Sequence, residues 1–279
     1  MSYSRQLQFG VFLTPSAADP ARTLELAVLA DELGYDLVGV QDHPYQRRFL
    51  DTWTLLTAIA MRTSRVTVFP DVANLPLRPP AVLAKAAATL DLLSGGRLEL
   101  GLGAGGAWDA IRAVGGPVRT PADSVSALEE AIHVIRIMWS GERRARFEGR
   151  FYQLDGVQTG PPPAHPVGIW LGAYRPRMLS IVGRLADGWV PSLGYVQAPE
   201  LREGSRRIDE AAVAAGRDPA AIRRVLNVGA DIPAEQLETL AVEQGMDSFV
   251  VGGLEDPDAL RWFATEVIPE VREAVARGH

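Results

Sequence analysis

The chain contains no cysteine. That excludes thiol nucleophiles, disulfide frameworks and cysteine-ligated zinc. It is also nearly without lysine: Lys85 stands alone, and arginine supplies the remaining basic charge. A Schiff-base aldolase needs a lysine at the tip of a strand, whereas Lys85 falls inside a helical pattern. No apolar run is long enough to span a bilayer, and Met1–Gln6 carries no apolar leader, so a soluble, cytoplasmic protein is expected. The histidines are few and scattered. His133 lies in a helical pattern, His165 between prolines and His279 at the terminus, and no clustered spacing suggests a metal. No G-x-S-x-G elbow is present, which argues against an esterase. A net charge of −6 argues against nucleic acid or an anionic membrane as partner.

At 279 residues the chain can bury a large core. Its most informative stretch is Arg97–Gly106, a strand running into a glycine-rich turn. Leu98, Leu100 and Leu102 share one face, and Gly101 and Gly103 leave the other bare. A strand stripped on one side makes room for something flat or for another backbone. Gly101, Gly103 and Gly106 also spell G-x-G-x-x-G. The nucleotide fingerprint requires a helix opening at once and an acidic residue ending a second strand about 20 residues on. The nearest acid here, Asp123, follows Thr120-Pro121 in the first turn of a helix, so a nicotinamide site is disfavoured.

Apolar strand-like runs alternate with helical patterns along the chain. Strands are expected near 9–13, 37–41, 66–69, 98–102, 167–171, 188–191, 224–228 and 248–251. Leu26, Leu29, Ala30 and Leu33 form one helical stripe, and Leu128, Ile132, Ile135 and Trp139 another. A cap followed by proline marks helix starts at Asp19-Pro20, Thr120-Pro121, Asp218-Pro219 and Asp256-Pro257. Eight strand–helix units in this length fit an α/β fold of the (β/α)8 TIM-barrel type. Arg146–Leu154, with Phe147, Phe151 and Tyr152 around Gly149, reads as a small hairpin inserted after the fourth βα unit, followed by the stiff Pro161–Pro163 connection.

In a barrel the chemistry gathers where strands end. His43, at the tip of the second strand, either caps that strand by hydrogen bonding, with Asp42 one partner for it, or donates to developing negative charge. Asp42 either orients it or caps the loop. Asn74 suits a ring amide or carbonyl, or an Asx turn. Asp71 reads as a solvated or loop-capping residue. The turn Gly172-Ala173-Tyr174-Arg175 precedes a helix whose first position is Pro176. Its free amides, with Arg175 and Arg177, would make an anion pocket, unless this is an ordinary capped helix with surface arginines.

Six segments in order resemble the bacterial-luciferase-like superfamily, above all its branch using the deazaflavin F420. They are Phe9–Phe12, Gly39–Pro44, Pro79–Ala84, Leu90–Arg97, Gly101–Gly105 and Ala186–Trp189. The resemblance covers nearly the whole chain and implies one barrel domain over 1–279. It implies a flavin or deazaflavin at the C-terminal strand ends, touching Asp71, Ala73, Asn74, Gly101, Gly103, Ala104, Gly105 and Gly172–Arg175, with phosphate on the 172–175 turn. It also implies a non-proline cis peptide within Asp71–Asn74, a small organic substrate and a homo-oligomer. His43 and Asp42 are the expected catalytic pair. Arginine-heavy usage hints at a source that makes F420, which is favoured over FMN; F420 would mean hydride transfer and FMN monooxygenation. Relatives that oxidise glucose 6-phosphate carry a glutamate where this chain has Ala104, and the stretch from Gly229 to Ala234 is short for a lid. A non-redox phosphate-binding barrel and a catalytically silent flavin-binding relative are the alternatives.

Overall fold

The computed structural model describes residues 6–277, so the leader reading of Met1–Arg5 and the terminal His279 lie outside the described residues. The strands are β1 (Gln8–Leu13), β2 (Leu37–Val40), β3 (Thr67–Pro70), β4 (Ala73–Asn74), β5 (Leu100–Gly103), β6 (Ala145–Glu148), β7 (Gln153–Val157), β8 (Ile169–Leu171), β9 (Gly188–Trp189), β10 (Arg223–Gly229) and β11 (Ser248–Gly252). The helices are α1 (Pro20–Leu33), α2 (Thr52–Arg62), α3 (Pro80–Ser94), α4 (Trp108–Ala113), α5 (Pro121–Trp139), α6 (Pro176–Leu185), α7 (Ala198–Ala214), α8 (Ala234–Val242), α9 (Pro257–Trp262) and α10 (Ile268–Arg277).

Nine parallel strands run in the order β3-β2-β1-β11-β10-β9-β8-β5-β4. β3 and β4 are two halves of one strand, broken at the cis bond Asp71–Val72. Its first half also meets the segment entering β5. The Val68 amide donates to the Arg97 carbonyl (3.0 Å) and the Glu99 amide to the Val68 carbonyl (3.1 Å). The ring is thereby closed, and among the described residues no long strand edge of the ring is left unpaired. β6 and β7 form the expected hairpin outside it, and it reaches to Val157.

Side-chain alternation builds two layers. Leu37, Phe69, Trp170, Val190, Val225 and Val250 pack inside the ring with Phe12 against them. Phe9, Val11, Leu98, Leu100 and Leu102 face the helices in the outer core. Each such buried side chain contributes roughly 1.5–3 kcal/mol. The ring is narrow: a Cβ on Gly10 would lie 2.6 Å from Leu37 Cβ. Outside, α6 crosses α7 so closely that a Cβ on Gly183 would reach 2.3 Å from the Ile208 carbonyl oxygen.

The punctuation acts as capping chemistry predicts at three of four sites. Asp19, Thr120 and Asp256 cap α1, α5 and α9, each followed by its proline. Asp218-Pro219 opens only a three-residue 3-10 turn, Pro219–Ala221, because β10 begins at once and draws the chain back into the sheet. The segment Leu90–Arg97 is a joint between layers. After α3, Gly95 and Gly96 take φ of 70° and 88°, a region glycine enters freely. Arg97 then donates to the carbonyls of Ala60 (2.7 Å), Thr63 (3.1 Å) and Val66 (3.0 Å), fixing the end of α2 beside β3.

Candidate functional site

At the C-terminal ends of the strands lies a cavity of about 1010 Å³. Every site residue expected from the sequence lines it except Gly101 and Arg177. A Cβ on Gly101 would lie 2.0 Å from the Pro70 carbonyl oxygen and 3.2 Å from Val72 Cγ1. Its bare face admits the neighbouring strand. Val72, just past the cis bond, also reaches over Gly103 and Gly172, 2.8 Å and 3.3 Å from where their Cβ atoms would stand. The expected bare floor of Gly101 and Gly103 is therefore occupied in part by Val72, which the sequence reading did not single out.

Asp42 is buried at 1% exposure and is fully engaged. Its Oδ2 accepts from the Asn74 amide (2.9 Å) and Arg78 Nε (2.7 Å), and its Oδ1 from Arg78 Nη2 (2.8 Å). Arg78 Nη2 also reaches Asp51 (2.7 Å), whose other oxygen caps α2. Asp42 thus ties the tip of β2 to β4. Of the two roles open to Asp42, these bonds are the loop-capping one, and neither of its oxygens bonds His43. The partner of His43 is Tyr45, with Nδ1 and the phenol oxygen 2.8 Å apart. When Tyr45 donates to Nδ1, the ring proton sits on Nε2, and Nε2 becomes a hydrogen-bond donor. Burial lowers the His43 pKa below its ordinary value, against the opposing charge of Asp42. The imidazole is therefore held toward its neutral form.

Asp71 is not solvated. It is 8% exposed, and burial pushes its carboxyl up to about 7, the Asn227 bond acting in the opposite direction. Asn227 Nδ2 donates to Asp71 Oδ1 (3.2 Å) and to Ser192 Oγ (3.3 Å). Asp71 Oδ2, Asn74 Oδ1 and Asn227 Oδ1 are buried without a partner, and all three residues line the cavity. Buried polar atoms are ordinarily satisfied. Three such orphans around one cavity mark positions a ligand would complete.

Ala173 is buried and accepts Trp189 Nε1 on its carbonyl (2.9 Å), which anchors the turn 172–175. That turn enters α6 through Arg175 and Pro176, with no side-chain cap on the helix amides. Arg175 lines the cavity. Arg177 turns away to the Ala122 carbonyl (3.1 Å) and Ser126 Oγ (2.7 Å), so the expected second charge is absent from the pocket. Tyr174 and Tyr195 face each other at the rim, with ring centroids 5.8 Å apart. Gly105, at φ 96°, makes the turn below α4, where a Cβ would meet Pro76 and Trp108 at 2.6 and 2.9 Å.

A family model described as luciferase-like monooxygenase matches residues 3–274. The chain belongs to that family. Among curated relatives, an F420-dependent glucose-6-phosphate dehydrogenase of Nakamurella multipartita is 31% identical over 227 residues. The match takes in 73% of this chain and 65% of that protein, so the chain spans less than two thirds of that relative's length. Among solved structures, an F420-dependent secondary alcohol dehydrogenase in complex with an F420-acetone adduct superposes with a TM-score of 0.83. It is 21% identical and covers 96% of this chain and 99% of that one. The oxygenating constituent of 3,6-diketocamphane monooxygenase from Pseudomonas putida, in complex with FMN, superposes at 0.76 with 17% identity, covering 96% and 99%. At these identities the two structures speak to the fold alone, a luciferase-like barrel.

The family resemblance found the tips of β2, β4, β5 and β8. It did not point to Asn227, Ser192 or Tyr195 from the other side of the mouth. Asn227 had a readable signal: in β10 it is a lone amide two residues after inward-facing Val225.

Proposed function

We propose that this luciferase-like protein is an F420-dependent oxidoreductase acting on a small organic molecule at the barrel mouth. The observation that carries this reading is the set of orphaned buried atoms of Asp71, Asn74 and Asn227 around one large cavity. The curated F420-dependent relative supports the choice of coenzyme.

The residues present suit such a group. Asn74 Oδ1 is a free acceptor for an N–H on a ring edge, and the free amides of α6 with Arg175 suit a phosphate. Gly103, Ala104 and Gly105 bring no bulky side chain of their own to the β5 side of the cavity, where Val72 stands over Gly103. Bound F420 supplies hydride-transfer chemistry, where FMN would also supply oxygen chemistry. His43, held by Tyr45, presents a donor that stabilises negative charge forming on the substrate. Val72 fills part of the floor, and the Tyr174–Tyr195 pair stands at the rim. Sugar-phosphate oxidation is not part of the proposal, because the family resemblance implies a carboxylate for it where this chain has Ala104.

Dissociation constants for F420 and FMN, measured side by side by fluorescence, test this. Tighter binding of F420 supports the proposal. Tighter FMN binding moves the protein to monooxygenation, and binding of neither ends the redox reading. Light scattering tests the homo-oligomer that the resemblance implies.

A further inference from the structure

Asp71 lines the cavity on the inward face of the strand tip, with its Oδ2 over Gly39. A Cβ there would lie 3.2 Å from that oxygen, so the missing side chain leaves the carboxyl its place. Asn227 holds Oδ1 from across the mouth and is itself held by Ser192. This leaves two buried oxygens without partners, Asp71 Oδ2 and Asn227 Oδ1, on hydrogen-bonded neighbours. A protonated Asp71 donates and Asn227 Oδ1 accepts, so the pair is complementary to a hydroxyl, and the Asp71 donor alone serves a carbonyl oxygen. A second cavity of about 230 Å³ shares Phe12, Ser192 and Asn227 and continues past Val228 and Val250, giving an apolar body a place beside the polar floor.

The surroundings disfavour an anion at this point. Around the cavity, Asp42 is paired with Arg78, and His43, Tyr45, Tyr174, Tyr195, Glu200 and Arg175 are the other ionisable groups. A carboxyl at the floor without a cation bonded to it repels a phosphate or carboxylate. No acid is available at Ala104.

We propose that Asp71 is the proton-exchanging catalytic residue of this site, acting through Oδ2 on the oxygen of a neutral, apolar-bodied alcohol or carbonyl substrate while Asn227 holds Oδ1. The inference rests on the deazaflavin reading above. In the oxidative direction the carbinol C–H bond breaks and its hydride passes to the oxidised deazaflavin. The O–H proton goes to the Asp71 carboxylate, and the C=O bond forms. Reduction runs the same balance backwards, the protonated acid giving its proton to the carbonyl oxygen. Burial brings Asp71 to about 7, so both forms are populated near neutrality. His43, which lines the same cavity, is lowered below its ordinary value by burial.

The test uses acetone as neutral probe and acetate as anionic control, followed by ligand-observed NMR on the wild type and Asp71→Asn without coenzyme. Turnover of 2-propanol with F420 is measured alongside. The wild type is expected to bind acetone several-fold better below neutrality than above it and to discriminate against acetate. Asp71→Asn keeps a donor, so it should bind acetone with no pH dependence while turnover falls by about 10²-fold or more. Wild-type acetone binding that ignores pH, or an Asp71→Asn enzyme within about two-fold of wild-type turnover, overturns the proposal. If Asp71→Asn fails to fold, the wild-type pH dependence and an Asp71→Glu variant, which should retain turnover above that of Asp71→Ala, decide the matter. Failure of F420 to bind while acetone binding keeps its pH dependence removes the redox reading and leaves the Asp71 subsite standing.

Discussion

Asp71 Oδ1 accepts the amide Nδ2 of Asn227 at 3.2 Å, joining β3 to β10 across the mouth of the barrel. The bond favours the carboxylate, and burial disfavours it more strongly. Replacing Asn227 with Leu removes the donor and adds apolar surface. The Asp71 midpoint should then rise above about 7. A carboxyl-carbon NMR titration of wild type and variant checks this, and an unchanged or lower midpoint contradicts it.

His43 to Ala should lower turnover by about 10²–10⁴-fold and change the dissociation constant of F420 by no more than a few-fold. Tyr45 to Phe removes the phenol oxygen that lies 2.8 Å from Nδ1 and should give a smaller loss of turnover. Steady-state kinetics with a parallel fluorescence titration separate the two parameters. Wild-type turnover in His43→Ala would remove the imidazole from the reaction.

Glycines of the β5 turn should respond unequally to a methyl group. At Gly101 the added carbon meets the Pro70 carbonyl oxygen at 2.0 Å, whereas at Gly106 nothing stands within 4 Å. Gly101→Ala should cost about 3 kcal/mol or more, and Gly106→Ala less than about 0.5 kcal/mol. Urea denaturation midpoints at matched slopes give both values. Similar losses at the two positions would mean that the contact with Pro70 is not what requires glycine.

Asp42 to Ala leaves Arg78 and the Asn74 amide without their buried acceptor. Because Arg78 retains 20% exposure, the expected loss sits at the lower end of the range for a broken buried pair, about 3 kcal/mol. Asn74 should lose its position at the same time, weakening coenzyme binding. Undiminished stability in the variant would contradict the framing role assigned to Asp42.

At the opposite end of the ring, burial raises Glu99 to about 8; the Gly168 amide and Arg223 oppose it, while Asp187 and Asp91 add to it. The folded state therefore keeps a proton that the unfolded chain releases near its ordinary value of 4.5. Stability is lost as pH rises from about 4.5 to about 8, and the full penalty persists above that. Glu99→Gln should gain about 2 kcal/mol at about pH 9 and little at about pH 4. Thermal unfolding at both pH values tests the sign, and an equal gain at the two would contradict it.

Much of the barrel is legible in the residues because its causes are local. The alternation of Leu98, Leu100 and Leu102 with Gly101 and Gly103 gives the two faces of β5 directly, since strand side chains alternate. Asp19, Thr120 and Asp256 state where helices begin, since a cap satisfies amides only a few residues away. Asp218 carries the same signal and yields only a 3-10 turn, because pairing of β10 with β9 and β11 overrides it.

The lining of the cavity was legible at strand ends, with a family segment coinciding at His43 and Gly103–Gly105 and the polar or glycine-rich tip alone at Asn74 and Gly172–Arg175. By itself the sequence determined the period, the caps and the bare face of β5. Only the tertiary structure decided that Val72 occupies part of that face, that Arg78 claims Asp42, and that Asp71 is buried against Asn227, 156 residues along the chain. The physical reason is that the charge state of a carboxyl depends on the water removed around it and on the groups that replace that water. For Asp71 those groups come from β2 and β10, which meet only when the ring closes.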